Sequence, residues 1–167
     1  NPTLLHALSM SHQRLRCTPA CEATTPSLFR NDKDFVRKVV VVSPLSLRWA
    51  SESLTDDKDL VLLVVRETGN AVRFASDRLK GDLDVALAAV ASNGNALRWC
   101  YKFFHKREVV MTAIATAGSA LEHAHKDFQD DLEIVLCALR NNGLAVRFVS
   151  SRLLQDEQVI RTALCSN

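Results

Sequence analysis

The chain has 167 residues, with 21 Lys+Arg against 19 Asp+Glu, a formal net charge of +2, and 47% hydrophobic but only 6% aromatic residues. This is an ordinary folded composition, and at this length about 70% of the extended-chain surface can be buried without help from disulfides or a metal. The near balance of charge lacks the strongly basic footprint of a nucleic-acid protein, there is no acidic tail, and no apolar run approaches the roughly eighteen residues that cross a bilayer.

Residues 1–31 are the least regular part. TLLHALSMSHQRLRC can be laid on the template of the units that follow, with Leu5, Ala7, Leu8, Leu15 and Arg16 in their columns, and so predicts a degenerate helical repeat. TPACEATTPS, rich in Pro, Thr and Ser, then predicts an irregular connection. Residues 1–31 as a whole hold one acid, Glu22, beside Arg14, Arg16 and Arg30, which is also the bias of a transit peptide. His6, His12, Cys17 and Cys21 bring four soft groups together in sequence, but H-x5-H-x4-C-x3-C has no zinc-site spacing and predicts no metal.

From residue 32 a repeat takes over. Of the five glycines, Gly69, Gly94, Gly118 and Gly143 lie 25, 24 and 25 residues apart. The segments starting at Asp59, Asp84, Glu108 and Glu133 align on them without an internal gap; an earlier copy from Asp34 carries Pro44 in the glycine column, and a half copy starts at Gln158. The 32–167 region thus reads as five helix-pair repeats and a sixth half repeat, in units starting near 32, 57, 82, 106, 131 and 156.

Within a unit, apolar columns such as Leu60, Val61, Val64 and Val65 follow helical periodicity, as do Ala71, Val72, Ala75 and Leu79 in the second half. Each unit is therefore expected to be two helices. Asp32, Asp57, Asp82, Asp131 and Asp156 stand where an N-cap is needed, with Lys106 the exception, and the next acid column lies in the first turn, at the positive end of the helix dipole. The glycine column is expected to end the first helix in a left-handed conformation. A pair this short cannot bury its own apolar faces, so the pairs must stack, with Ala71, Ala96, Ala120, Ala145, Ala89, Ala113, Ala138 and Ala163 permitting close approach. The predicted fold is all-α, an α-solenoid of tandem short helix-turn-helix repeats.

The motif D-x-D/E-V-V-L-x-A-V-x-x-N-G-x-A-L-x-aromatic-A-S-x-x-L, matched most closely by Asp57 to Leu79 and Asp131 to Leu153, resembles the repeat of domain-of-unknown-function family 4116, seen in bacteria and in protists including algae. The resemblance covers about residues 32 to 167. It implies a helical repeat presumed to bind other proteins, and no assigned activity. Pro44, Lys106 and the Glu122-His123 pair depart from the pattern.

The best candidate for a function is the Arg-aromatic column: Arg48-Trp49, Arg73-Phe74, Arg98-Trp99 and Arg147-Phe148. On a helical wheel each arginine points about 145° from the apolar stripe, so stacking would line the arginines up as an exposed basic ladder able to grip acidic segments or phosphates. The alternative is structural: Arg48 with Glu52 and Arg73 with Asp77 as i, i+4 pairs. Cys100, Cys137 and Cys165 fall in small-residue columns, which predicts buried thiols and fits a reducing compartment. His123 and His125, two apart on one helix, diverge and cannot share a metal. No phosphate loop, nucleophile elbow or spare carboxylate pair is present. The expectation is a protein-binding scaffold or a structural subunit of a larger assembly, with a protein partner, no catalysis and no cofactor. The alternative is a single-stranded RNA-binding helical repeat using the Arg-aromatic column.

Overall fold

The computed structural model describes residues 30–166. The degenerate repeat, the Pro/Thr-rich connection, and His6, His12, Cys17 and Cys21 lie outside the described residues. Within them the fold is all-α, and no helix there is long and apolar enough to cross a membrane.

Six long helices set the spacing of the stack: Lys33–Val42, Lys58–Glu67, Leu83–Ser92, Arg107–Thr116, Leu132–Asn141 and Glu157–Cys165. Their starts are fixed by the aspartate caps. Asp32 accepts from the N–H of Phe35, Asp57 from Leu60, Asp82 from Asp84 and Val85, Asp131 from Glu133 and Ile134, and Asp156 from Gln158 and Val159, at 2.8 to 3.3 Å. Lys106 starts its helix with no side-chain cap. Each long helix packs on the long helix before and after it. In Lys58–Glu67 this buries Leu60, Val61, Val64 and Val65, each side chain contributing about 2 kcal/mol when removed from water. In the final helix Ile160 and Leu164 occupy the columns of Val61 and Val65, and they are 45% and 72% exposed because no further unit covers them among the described residues.

The glycines do not act as expected. No described residue has positive φ. The long helix instead ends one residue earlier, at Ser43, Thr68, Asn93, Ala117 or Asn142, whose extended backbone (φ between −141° and −153°) turns the chain sharply. The glycine then begins the next element, and its missing Cβ makes room for the following unit. A Cβ on Gly69 would overlap the carbonyl oxygen of Ala89, on Gly94 that of Ala113, and on Gly118 that of Ala138. Glycine is needed because a neighbouring helix backbone passes directly against it. The Gly69 N–H donates across this contact to Ser92 Oγ (3.0 Å), and that of Gly118 to Asn141 Oδ1 (2.7 Å).

The second half of the unit is not one helix. It is a six-residue 3-10 helix (Pro44–Trp49, Gly69–Phe74, Gly94–Trp99, Gly118–His123, Gly143–Phe148), followed at Ala50, Ala75, Ala124 and Val149 by extended backbone. A short helical turn comes next, four residues of α-helix in Glu52–Thr55, Asp77–Lys80 and Lys126–Gln129. The apolar columns survive because Ala75 and Leu79 still face the core across the break. The 3-10 helices stack on one another in chain order, so the molecule has a layer of long α-helices and, joined to it unit by unit, a layer of 3-10 helices.

Alignment without a gap also needs correction. Leu54, Leu79 and Leu153 are buried four residues after their extended residue, but in the third unit the buried aromatic is Phe103, three residues after Cys100. One residue is missing there, which is why Gly94 and Gly118 are 24 apart. The missing position is the one whose N–H elsewhere donates to the preceding unit: Ser51 to Arg30 O, Ser76 to Thr55 O, His125 to Phe104 O and Ser150 to Gln129 O.

Candidate functional site

Among the charged side chains two recurring sets stand out. The first holds the stack together. Lys33 reaches the cap Asp57 of the next unit, Lys58 reaches Asp82 (2.8 Å) and Asp84 (2.7 Å), and Arg107 reaches Asp131 (2.6 Å) and Glu133. The caps therefore serve twice, holding helix N–H groups and a cation from the unit before. Hydrogen bonding from Lys58 holds the Asp82 carboxyl below its ordinary range, and Lys33 does the same for Asp57. At Asp131 burial pushes the pKa up, and hydrogen bonds from Arg107 and from Ile134 N–H outweigh it.

A second staple recurs in two units. Ser76 donates to Asp56, and Arg78 lies on the same carboxylate at 2.9 and 3.0 Å while also donating to the Asp56 carbonyl. Ser150 and Arg152 treat Asp130 in the same way. Both carboxyls are held below their ordinary pKa, first by the serine and then by the arginine.

The other set lies on the face of the 3-10 helices. With three residues per turn, side chains at i and i+3 eclipse, so Asn70 stands with Arg73, Asn95 with Arg98, and Ser119 with Glu122, while Ala71, Ala96 and Ala120 turn inward and are fully buried. The predicted ladder is present on the surface, and Arg48, Arg73, Arg98 and Arg147 are all exposed. The i, i+4 pairs of Arg48 with Glu52 and Arg73 with Asp77 do not form, because the extended residue between the two short elements breaks the helical register. Each arginine instead lies over the aromatic ring that follows it, at 4.5 Å on Trp49, 4.4 Å on Phe74, 4.9 Å on Trp99 and 4.8 Å on Phe148. Such stacking at an exposed site contributes about 0.5–1 kcal/mol. The rings are half-buried, and Phe74, Trp99 and Phe148 pack on the core.

Between these helices lies a shallow groove of about 440 Å³, lined by Asn70 and Arg73, by Asn95, Arg98 and Trp99, and by Ser119, Glu122 and His123. Ser119 and Asn95 share a hydrogen bond of 2.9 Å between units. Leu45 and Leu144 occupy the asparagine column at its two ends, 45% and 61% exposed. His123 closes the 3-10 helix Gly118–His123, and burial holds its pKa below the ordinary value, against the pull of Glu122 and with the help of Arg98. His125 is not on the same helix: past the extended Ala124 it caps Lys126–Gln129 through Nδ1.

Asn70, Asn95 and Ser119 were not picked out as site residues from the sequence. Their signal was the residue after each glycine, which becomes a groove position only when the segment is 3-10 rather than α. The cysteines also need revision. Cys100 is buried, and burial pushes its thiol up to about 11; Cys137 is half-buried, and Cys165 is exposed. Cys165 falls in the column of Arg66, Ala91, Ala115 and Arg140, all exposed, rather than in a small-residue core column. Among the described residues no group of three or more His, Cys, Asp or Glu is placed to hold a metal.

Fold and face together define a stacked helical-repeat protein, its units joined by inter-unit ion pairs and one surface lined by arginines that have no carboxylate partner. The chain belongs to the family described as Domain of unknown function (DUF4116), whose model matches residues 57–104, 106–154 and 131–167. The first two of these segments each span two units and start on the cap position, at Asp57 and Lys106. No curated protein and no solved structure matches the chain.

Proposed function

We propose that the chain is a protein-interaction scaffold, or a structural subunit of a larger assembly, that holds acidic segments of a protein partner on the face of its 3-10 helices. The observation that carries this reading is the contrast between the two sets of cations. Lys33, Lys58, Arg78, Arg107 and Arg152 are each engaged by carboxylates of an adjacent unit. Arg48, Arg73, Arg98 and Arg147 make no hydrogen bond or ion pair among the described residues; each lies over its own aromatic neighbour, which orders the guanidinium and leaves its donors available. A guanidinium held over a ring is preorganised for bidentate contact with a carboxylate.

Single-stranded RNA recognition would use aromatic rings as stacking platforms for bases. Here one face of each ring is covered by its own arginine, which counts against that use.

Reversing Arg73 and Arg98 to Glu tests the reading. The expected result is an unchanged fold, loss of the partners captured by the parent from native extract, and capture by the parent that weakens as salt rises, since exposed charges are screened over about 8 Å at physiological ionic strength. The same partners recovered by the double variant at every salt concentration would contradict it.

A further inference from the structure

The face of 3-10 helices is not uniform. At its centre the polar groove adjoins a second hollow of about 310 Å³, and the two share Arg98 and His123; the second adds Leu97, Tyr101 and Phe104. This second hollow arises from the missing residue in the third unit. Without it Cys100 adopts φ −97°, ψ 48° instead of extended backbone, the following turn is the 3-10 helix Tyr101–Phe103, and the buried position passes to Phe103. Phe104 is thereby moved into the column that holds Thr55, Lys80 and Gln129 in other units. It is 37% exposed, its ring set against His105 (5.4 Å) and His125 (5.7 Å), while Tyr101 beside it is 50% exposed. In a chain with 6% aromatic residues, Trp99, Tyr101, Phe103 and Phe104 fall within six positions, and two of them face outward next to the basic ladder.

We propose that this double hollow takes one extended acidic segment of a protein partner with a single large apolar side chain, which seats against Tyr101 and Phe104 while flanking carboxylates lie on Arg73 and Arg98. The inference rests on the reading that the face of 3-10 helices binds a protein. Charge complementarity selects the flanking residues: Arg73 and Arg98 have no carboxylate partner, and Glu122 is the one acid lining either hollow. The two exposed aromatics lining one hollow select the anchor, because an apolar side chain buried in a pocket at the centre of a site contributes most to binding. Asn70 and Asn95, one unit apart beside the arginines, carry amide donors and acceptors that suit the main chain of an extended segment, whose own backbone groups are unpaired.

The test is selection of random displayed peptides on the full chain, followed by fluorescence anisotropy of the enriched sequences as synthetic peptides. Enriched peptides should carry Asp or Glu around one Phe, Trp or Leu. Tyr101→Ala, at an exposed position, should weaken them by about tenfold and abolish the preference for the bulky residue while the preference for acids remains. Asn95→Ala, which also removes the hydrogen bond from Ser119 and so should lower the melting temperature slightly, should weaken anchored and unanchored peptides by the same factor. Acidic peptides enriched without an anchor, and bound equally by parent and Tyr101→Ala, would overturn this inference and leave the proposed function standing. Enrichment with no acidic bias, or displacement of the peptides by a single-stranded oligouridylate that binds more tightly, would overturn both.

Discussion

Gly94 shows how little a residue type reveals about its reason. The absence of a Cβ would suit a left-handed turn or a close approach, and in sequence the two are indistinguishable. Here the carbonyl of Ala113 occupies the place a Cβ would need, and backbone cannot move aside. Gly94→Ala should therefore cost about 3 kcal/mol, read as a lower urea midpoint, from overpacking at the contact between units. Gly81 is the control: a Cβ there meets only the end of the Lys102 side chain, and its φ of −95° suits any residue. Gly81→Ala should be neutral or stabilising by about 0.5 kcal/mol. Equal costs at both positions would remove the close approach as the reason for the glycine column.

At the scale of the element, the long helices were legible because capping and periodicity are both local. Asp32, Asp57, Asp82, Asp131 and Asp156 all cap as their position implies. The element after each glycine was not legible. Its apolar columns fit an α-helix as well as two short turns joined by an extended residue, since Ala75 and Leu79 face the core either way. The missing residue of the third unit was hidden for a similar reason: with Phe103 and Phe104 adjacent, an apolar residue falls in the expected column whether or not a gap is introduced. The candidate site inherits both effects. Arg73 and Arg98 were visible as a column, but Asn70, Asn95, Tyr101 and Phe104 joined them only once the true turns were known. Capping has opposite signs at two equivalent positions. Asp82→Ala should destabilise by about 1 kcal/mol, and Lys106→Asp, which supplies the absent cap at the start of Arg107–Thr116, should stabilise by a similar amount. Thermal unfolding of both variants checks this, and no difference between them would show that the cap column does not govern helix starts.

Across the whole molecule, acid should loosen the stack. Asp56, Asp57, Asp82, Asp130 and Asp131 are all held below their ordinary pKa in the folded state. The unfolded chain therefore takes up protons first as pH falls, so the stability these groups contribute is intact above about pH 4 and is lost below it. His123 has the same sign at a higher range, because its pKa is also lowered by folding. Stability should rise with pH through about 6.5, and His123→Asn should flatten that part of the profile while leaving the acid limb below pH 4 unchanged. Urea midpoints measured from pH 3 to pH 8 give both limbs.

The two sets of cations define the account at this scale. Lys33, Lys58 and Arg107 at the starts of long helices, with Arg78 and Arg152 on the short turns, join one unit to the next, and those on the 3-10 helices contribute little to the stack. The most direct test is to compare the thermal unfolding midpoints of two charge-reversal pairs, Lys58→Glu with Arg107→Glu and Arg73→Glu with Arg98→Glu. The first breaks inter-unit ion pairs and places a like charge against Asp82, Asp84, Asp131 and Glu133, whereas the second removes ring stacking but no ion pair. The first pair should melt well below the parent and the second close to it. Equal midpoints for the two pairs, or a larger fall for Arg73 and Arg98, would contradict the division between a stacking set and a free set of charges.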